Sequence, residues 1–162
     1  MGPGTVLPML LFACSAAAQT STELHMIQFV NNCGFGTPLL KASTNNITIS
    51  MGEAVTISGP LVDAVAFLQT GSCGDAGEGC TAVSITLRNP TSPGDGSSVV
   101  ILEAPPYAFS VATGFGYFNG CDGAGQDCTF PGCPDPGCLP GHCPEPTDCE
   151  ADNVNLAVTF CD

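Results

Sequence analysis

Any chemistry in this chain has to come from its eleven cysteines, fifteen acidic residues and two histidines, because Lys41 and Arg88 are its only bases. Cys128, Cys133, Cys138 and Cys143, with His142 beside them, are spaced closely enough to raise metal binding. They do not follow the Cys-x₂-Cys pattern of zinc sites, and an oxidising compartment consumes thiolates as disulfides. The run Asp122-Gly123-Ala124-Gly125-Gln126-Asp127 lacks the alternating ligands and terminal Glu of a calcium loop. His25 lies in an apolar run, His142 lies among the cysteines, and no nucleophile elbow accompanies either, so a Ser-His-Asp arrangement is not expected. Neither a metal nor a cofactor is expected. Phe115, Tyr117 and Phe118 form the one aromatic cluster, which can serve as a sugar platform or pack into a core.

The net charge of -13 excludes binding to nucleic acid or to an anionic membrane, since two bases cannot neutralise phosphates. Residues 1–18 read as a secretory signal: an apolar stretch from Val6 to Ala13 is followed by the small-residue site Ala16-Ala17-Ala18. That stretch is too short to span a bilayer. No hydrophobic tail follows Phe160, from which no lipid-anchored terminus is expected. Cys14 falls within the signal, and its removal leaves ten cysteines, an even set that reads as five disulfides in a secreted, extracellular or cell-wall protein. The sequon Asn46-Ile47-Thr48 is the one glycosylation site that proline does not obstruct. One domain, 19–162, is expected, and a monomer.

The elements that would position these residues are short alternating runs between turn residues, with no stretch that keeps helical spacing. Strands are predicted at Met26–Val30, Ile47–Ile49, Val55–Ile57, Val65–Leu68, Val83–Leu87, Val99–Leu102, Tyr107–Val111 and Val154–Phe160. Period-2 spacing puts Val83, Ile85 and Leu87 on one face and Ser84, Thr86 and Arg88 on the other. Half-exposed strands of this kind predict an all-β antiparallel sandwich or barrel. Between Cys121 and Cys149 prolines, glycines and cysteines replace aliphatic residues, which predicts a disulfide-knotted insertion over 121–149.

Four segments in order resemble the thaumatin-like proteins. These are the strand His25–Cys33 ending in Asn-Asn-Cys, the turn Thr70-Gly71-Ser72-Cys73-Gly74, the start of a cysteine-rich insertion at Gly120-Cys121, and the closing strand Cys149–Cys161 ending in Val-Thr-Phe-Cys. The short length, with the stretches Asn32–Pro38 and Phe115–Gly123, is most similar to the small secreted fungal members of glycopeptide type. The resemblance implies a thaumatin-like β-sandwich with Cys33 paired to Cys161, Cys73 to Cys80 and Cys121 to Cys149. The remaining four are expected to nest as Cys128 with Cys143 and Cys133 with Cys138.

The same resemblance implies an acidic cleft associated with β-1,3-glucan. Hydrolysis there needs two carboxyls about 5–9.5 Å apart. Ala82–Leu87 contains no acid where the family has its Glu, and Val99–Ala104 offers only Glu103. Glu103, Arg88, Tyr117 and Phe118 are therefore the ligand-binding candidates, and Asp75, Glu78 and Asp122 the loop acids that are candidate partners of Glu103. A non-enzymatic protein acting on cell-wall β-glucan is expected; the alternatives are a weak endo-β-1,3-glucanase, or a protein-directed inhibitor, effector or wall component.

Overall fold

The computed structural model describes residues 1–2, 22–42, 46–48, 53–133 and 145–161. Among these there are eleven strands in two sheets and no helix. The first sheet has the order β4 (Ala54–Ser58), β1 (Leu24–Asn31), β11 (Asn155–Phe160), β8 (Thr113–Phe118), β9 (Gly125–Cys128). The second runs β10 (Thr147–Cys149), β7 (Ser97–Leu102), β6 (Ala82–Leu87), β5 (Leu61–Gln69), β2 (Thr37–Lys41), β3 (Asn46–Thr48). All pairs are antiparallel except β1 with β11, which run parallel from Ile27 opposite Leu156 to Asn31 opposite Phe160.

The alternation in the sequence explains the two layers. Ile27 and Phe29 of β1 and Leu156, Val158 and Phe160 of β11 face Val83, Ile85 and Leu87 of β6 and Val99 and Ile101 of β7, all fully buried. Phe29 and Phe160 lie parallel with ring centroids 6.3 Å apart. Burial of side chains this size contributes about 1.5–3 kcal/mol each. Because β1 and β11 are parallel neighbours, their last residues finish side by side, and Cys33 is joined to Cys161 just beyond them at a Cα separation of 5.0 Å. We call this the upper end.

Two predicted backbone features differ. Tyr107–Val111 is not a strand: Pro105 and Pro106 supply no N–H to a ladder, and the segment instead bonds to the start of β6 through Ala108 N–H to Cys80 O and Ser110 N–H to Thr81 Oγ1. The stretch 121–149 is not loop throughout, since β9 and β10 lie within it and Cys128, Cys133 and Cys149 are buried in the core.

Cys73–Cys80 and Cys121–Cys149 are joined at Cα separations of 5.5 and 5.9 Å. Cys128 is joined to Cys133, which replaces the expected nested pairs Cys128–Cys143 and Cys133–Cys138. The physical reason is the turn 129–132, closed by Cys133 N–H to Phe130 O, which brings the two Cα atoms to 5.0 Å. Cys138 and Cys143 lie outside the described residues, as do nearly all of the signal-like segment and the side chain of Asn46, whose strand β3 forms one edge of the second sheet.

Candidate functional site

The sequence candidates do not converge on one place. Arg88 follows β6 and lies beside Gly96, whose carbonyl accepts from its Nε at 3.3 Å. Glu103 follows β7 at the upper end. The register of β6 on β7, Ala82 opposite Leu102 and Thr86 opposite Ser98, separates them by about 20 Å along the hairpin at the usual rise per residue. Arg88 therefore does not accompany Glu103 in a cleft.

At the upper end the connections 31–36, 70–81, 103–112 and 129–133 meet. Gly79 N–H donates to Pro106 O at 2.8 Å, which lays the Cys73–Cys80 turn against the segment after Glu103. Gly77 has φ 89° and approaches the ring of Phe67, so a side chain there is strained and crowded; the turn thereby covers Phe67 on the outer side of β5. Glu103 is half-buried and accepts a 2.8 Å hydrogen bond from Gly132 N–H. Its carboxylate and the sulfurs of Cys128 and Cys133 lie within 4.8 Å of one another, but those sulfurs are joined to each other and offer no thiolate to a metal.

Glu78 is exposed, and its own backbone N–H and that of Ala76 hold its carboxyl below the usual carboxylate value. Asp75 is exposed in the same turn. Asp122 is at the lower end, accepting from Asn119 N–H and Gly120 N–H. An acid held ionised by backbone donors cannot serve as the proton donor that a glycosidic oxygen requires.

The aromatic cluster divides between two faces. Phe115 and Tyr117 point into the core, with rings 6.2 Å apart edge to face, and the Tyr117 hydroxyl donates to Thr147 O of the opposite sheet at 2.8 Å. Tyr117 is only 3% exposed, so it is a core residue and not a ligand platform. Burial, and next to it the charge of Asp148, pushes its hydroxyl above the ordinary tyrosine value. Phe118, of opposite parity, emerges half-buried on the outer face of the first sheet. Among the described residues the strongly exposed aromatics are Phe35 (55%) and Phe130 (58%), both on disulfide-flanked turns at the upper end. They carried no signal in the sequence, since an isolated Phe among glycines reads equally well as buried.

At the lower end of the core His25 is fully buried, with Nδ1 2.7 Å from Val154 O and Nε2 3.0 Å from Glu23 Oε1. Glu23 Oε1 also accepts from Asn89 N–H at 2.7 Å, linking β1 to the connection after β6. This network explains how a polar residue stands on an otherwise apolar inward face.

A solved thaumatin-like xylanase inhibitor superposes with a TM-score of 0.53 at 16% identity, over 84% of this chain and 99% of that one. No family model matches the chain, and no curated protein matches it in sequence. The two sheets, the disulfides and this superposition define the fold as thaumatin-like, an all-β sandwich.

Proposed function

We propose that the chain is a secreted, non-enzymatic protein that binds neutral cell-wall polysaccharide, with β-glucan as the first ligand class. The observation that carries the non-catalytic reading is the fate of the acids around Glu103. Glu103 is engaged by Gly132 N–H, Glu78 is held ionised by backbone donors, and the flanking strands β6 and β7 contain no acid. A two-carboxylate mechanism needs one protonated and one ionised group facing the same bond. Disulfides at both ends of the sandwich support an extracellular site of action. The resemblance to small fungal members is in keeping with a wall-associated role.

A protein-directed reading has its own observation: Phe35 and Phe130 are exposed on braced turns, and the superposed structure is that of a xylanase inhibitor. Retention on insoluble β-1,3-glucan, chitin and mannan, run beside reducing-end release and inhibition of a xylanase, separates the readings. Retention without release supports the proposal. Passage through all three polymers together with xylanase inhibition transfers the function to a protein target, and robust release of reducing ends overturns the non-catalytic reading.

A further inference from the structure

The outer face of the first sheet is nearly free of charge. In a chain of net charge -13, the outward positions of β4, β1, β11, β8 and β9 carry a single charged side chain, Asp127, whose carboxylate lies over Gly114. The register places Gln28, Ala157 and Gly116 in one row across β1, β11 and β8. Ala157 contributes only a methyl, and a Cβ built on Gly116 would meet nothing nearer than Ala124 O at 4.0 Å, so the row between them is low and open. Asn155 beside Phe118 stands two residues along on one side, and Thr159 two residues along on the other. The result is a shallow trench about 10 Å long across three strands, with walls about 13 Å apart from wall row to wall row at ordinary sheet spacings.

Most polar groups of this face are free among the described residues. Gln28, Thr56, Ser58 and Thr159 make no side-chain hydrogen bond among the described residues, and Asn155 uses only its Oδ1, which accepts from Met26 N–H at 2.8 Å, leaving its amide hydrogens unbonded there. On the loops, by contrast, polar side chains are spent on backbone: Asp95 on Thr91 and Ser92, Asp122 on Asn119 and Gly120. Uncharged amides and hydroxyls on a rigid flat support, beside the half-buried ring of Phe118 and the 36% exposed side chain of Met26, match a neutral polyhydroxylated chain, which offers hydroxyls to the amides and C–H faces to the apolar groups. A second copy of this chain would bring another net charge of -13 against the first, whereas a neutral polysaccharide meets no such repulsion.

We propose that this face is the polysaccharide site, with a neutral glucan chain lying across β1, β11 and β8 over Gln28, Ala157 and Gly116. The assignment rests on the polysaccharide reading above. The test uses the full secreted chain with its disulfides intact. Retention on insoluble β-1,3-glucan is compared for the unmodified protein, Ala157→Glu, Gln28→Ala and, as a control at the upper end, Phe35→Ala. Amide NMR shifts are followed on adding a soluble β-1,3-gluco-oligosaccharide.

The expected result is retention reduced at least tenfold by Ala157→Glu and severalfold by Gln28→Ala. Phe35→Ala should be unchanged, and the oligosaccharide-induced shifts should centre on Gln28, Asn155, Gly116 and Ala157. Because residue 157 points outward, folding is checked by an unchanged melting temperature, and Gln28→Ala keeps the test alive if Ala157→Glu does not fold. Equal retention of both face variants, with shifts elsewhere, overturns the site while leaving polysaccharide binding intact. Failure of the unmodified protein to bind β-1,3-glucan, cellulose, chitin or mannan overturns the reading beneath it and the site with it. A dimer in sedimentation that Ala157→Glu dissociates assigns the face to a second copy and overturns the proposal.

Discussion

His25 and Glu23 meet inside the lower end of the sandwich, with Nε2 and Oε1 3.0 Å apart, although Glu23 is two residues back on the same chain segment. Same-face neighbours on a strand are two residues apart, so the pair follows from the pleat itself. Glu23 also holds Asn89 N–H, and His25 also meets Val154 O, so the pair joins three segments. His25→Ala is expected to lower the unfolding free energy by about 2–4 kcal/mol, combining a cavity with the loss of both ring hydrogen bonds. Glu23→Gln, which keeps a carbonyl for Asn89, should cost about 1 kcal/mol. Denaturant titration of the two variants measures both, and a His25→Ala loss no larger than that of an exposed substitution would contradict the role given to the pair.

Two disulfides of very different span predict unequal effects. Cys33–Cys161 closes a separation of 128 residues and Cys73–Cys80 one of 7. On the loop-entropy relation these correspond to about 5 and about 2.4 kcal/mol. Cys161→Ser with Cys33→Ser should therefore lower the melting temperature far more than Cys73→Ser with Cys80→Ser. Equal melting temperatures would show that native-state contacts, and not chain closure, set the contribution of these bridges.

Some of this fold was legible in the sequence, and the exceptions have physical causes. Val83–Leu87 and Val154–Phe160 alternate cleanly because each has one buried and one wet face. The strand β8 was invisible because Gly114 and Gly116 supply no side chain on the outward positions, and β9 because Gly125-Gln126-Asp127 has no apolar residue to mark an inward face. Parity alone separates Phe118 from Phe115 and Tyr117, but which set faces inward depends on β11, about forty residues later. The free polar face could not be read from any one segment, because Gln28, Thr56, Ala157 and Gly116 come together only through strand pairing.

Asp95 organises the β6–β7 connection by accepting from Thr91 N–H at 2.8 Å, Thr91 Oγ1 at 2.6 Å and Ser92 N–H at 3.1 Å. These bonds, the Thr91 hydroxyl first, hold its carboxyl down at about 2 from an ordinary 3.8. A depressed folded value means that the contribution is fully present above the ordinary value and is lost as pH falls through about 2. Slow amide exchange at Thr91 and Ser92 should persist to pH 3 and disappear on further acidification. Asp95→Asn should weaken it at every pH, and retention of that protection in the Asn variant would show that the loop holds itself.

Tyr117 makes the corresponding alkaline prediction. Burial and the charge of Asp148 raise its hydroxyl above the ordinary tyrosine value of 10, so its contribution is present below that value and is lost as pH rises through the folded one. Absorbance titration should show this phenol ionising only as the fold is lost. Tyr117→Phe removes the bond to Thr147 O and should cost about 1 kcal/mol. Reversible ionisation of Tyr117 in the ordinary range, with the fold intact, would contradict its place in the core.

Glu103 separates positioning from catalysis. Its Oε2 accepts from Gly132 N–H at 2.8 Å, in the turn that the Cys128–Cys133 bridge closes, so its visible work is to fasten that turn to the end of β7. Glu103→Gln retains a carbonyl acceptor of the same length and should leave the melting temperature nearly unchanged, whereas Glu103→Ala orphans the Gly132 N–H and should cost about 1–3 kcal/mol. A catalytic carboxylate gives a different pattern, with turnover lost in both variants while the Gln variant, which keeps the hydrogen bond, holds its melting temperature. Purified protein should release no reducing ends from β-1,3-glucan above a buffer control, and Glu103→Gln should retain whatever binding the parent shows. Turnover in the parent that Glu103→Gln abolishes at unchanged melting temperature would make Glu103 a catalytic residue and reinstate the hydrolase.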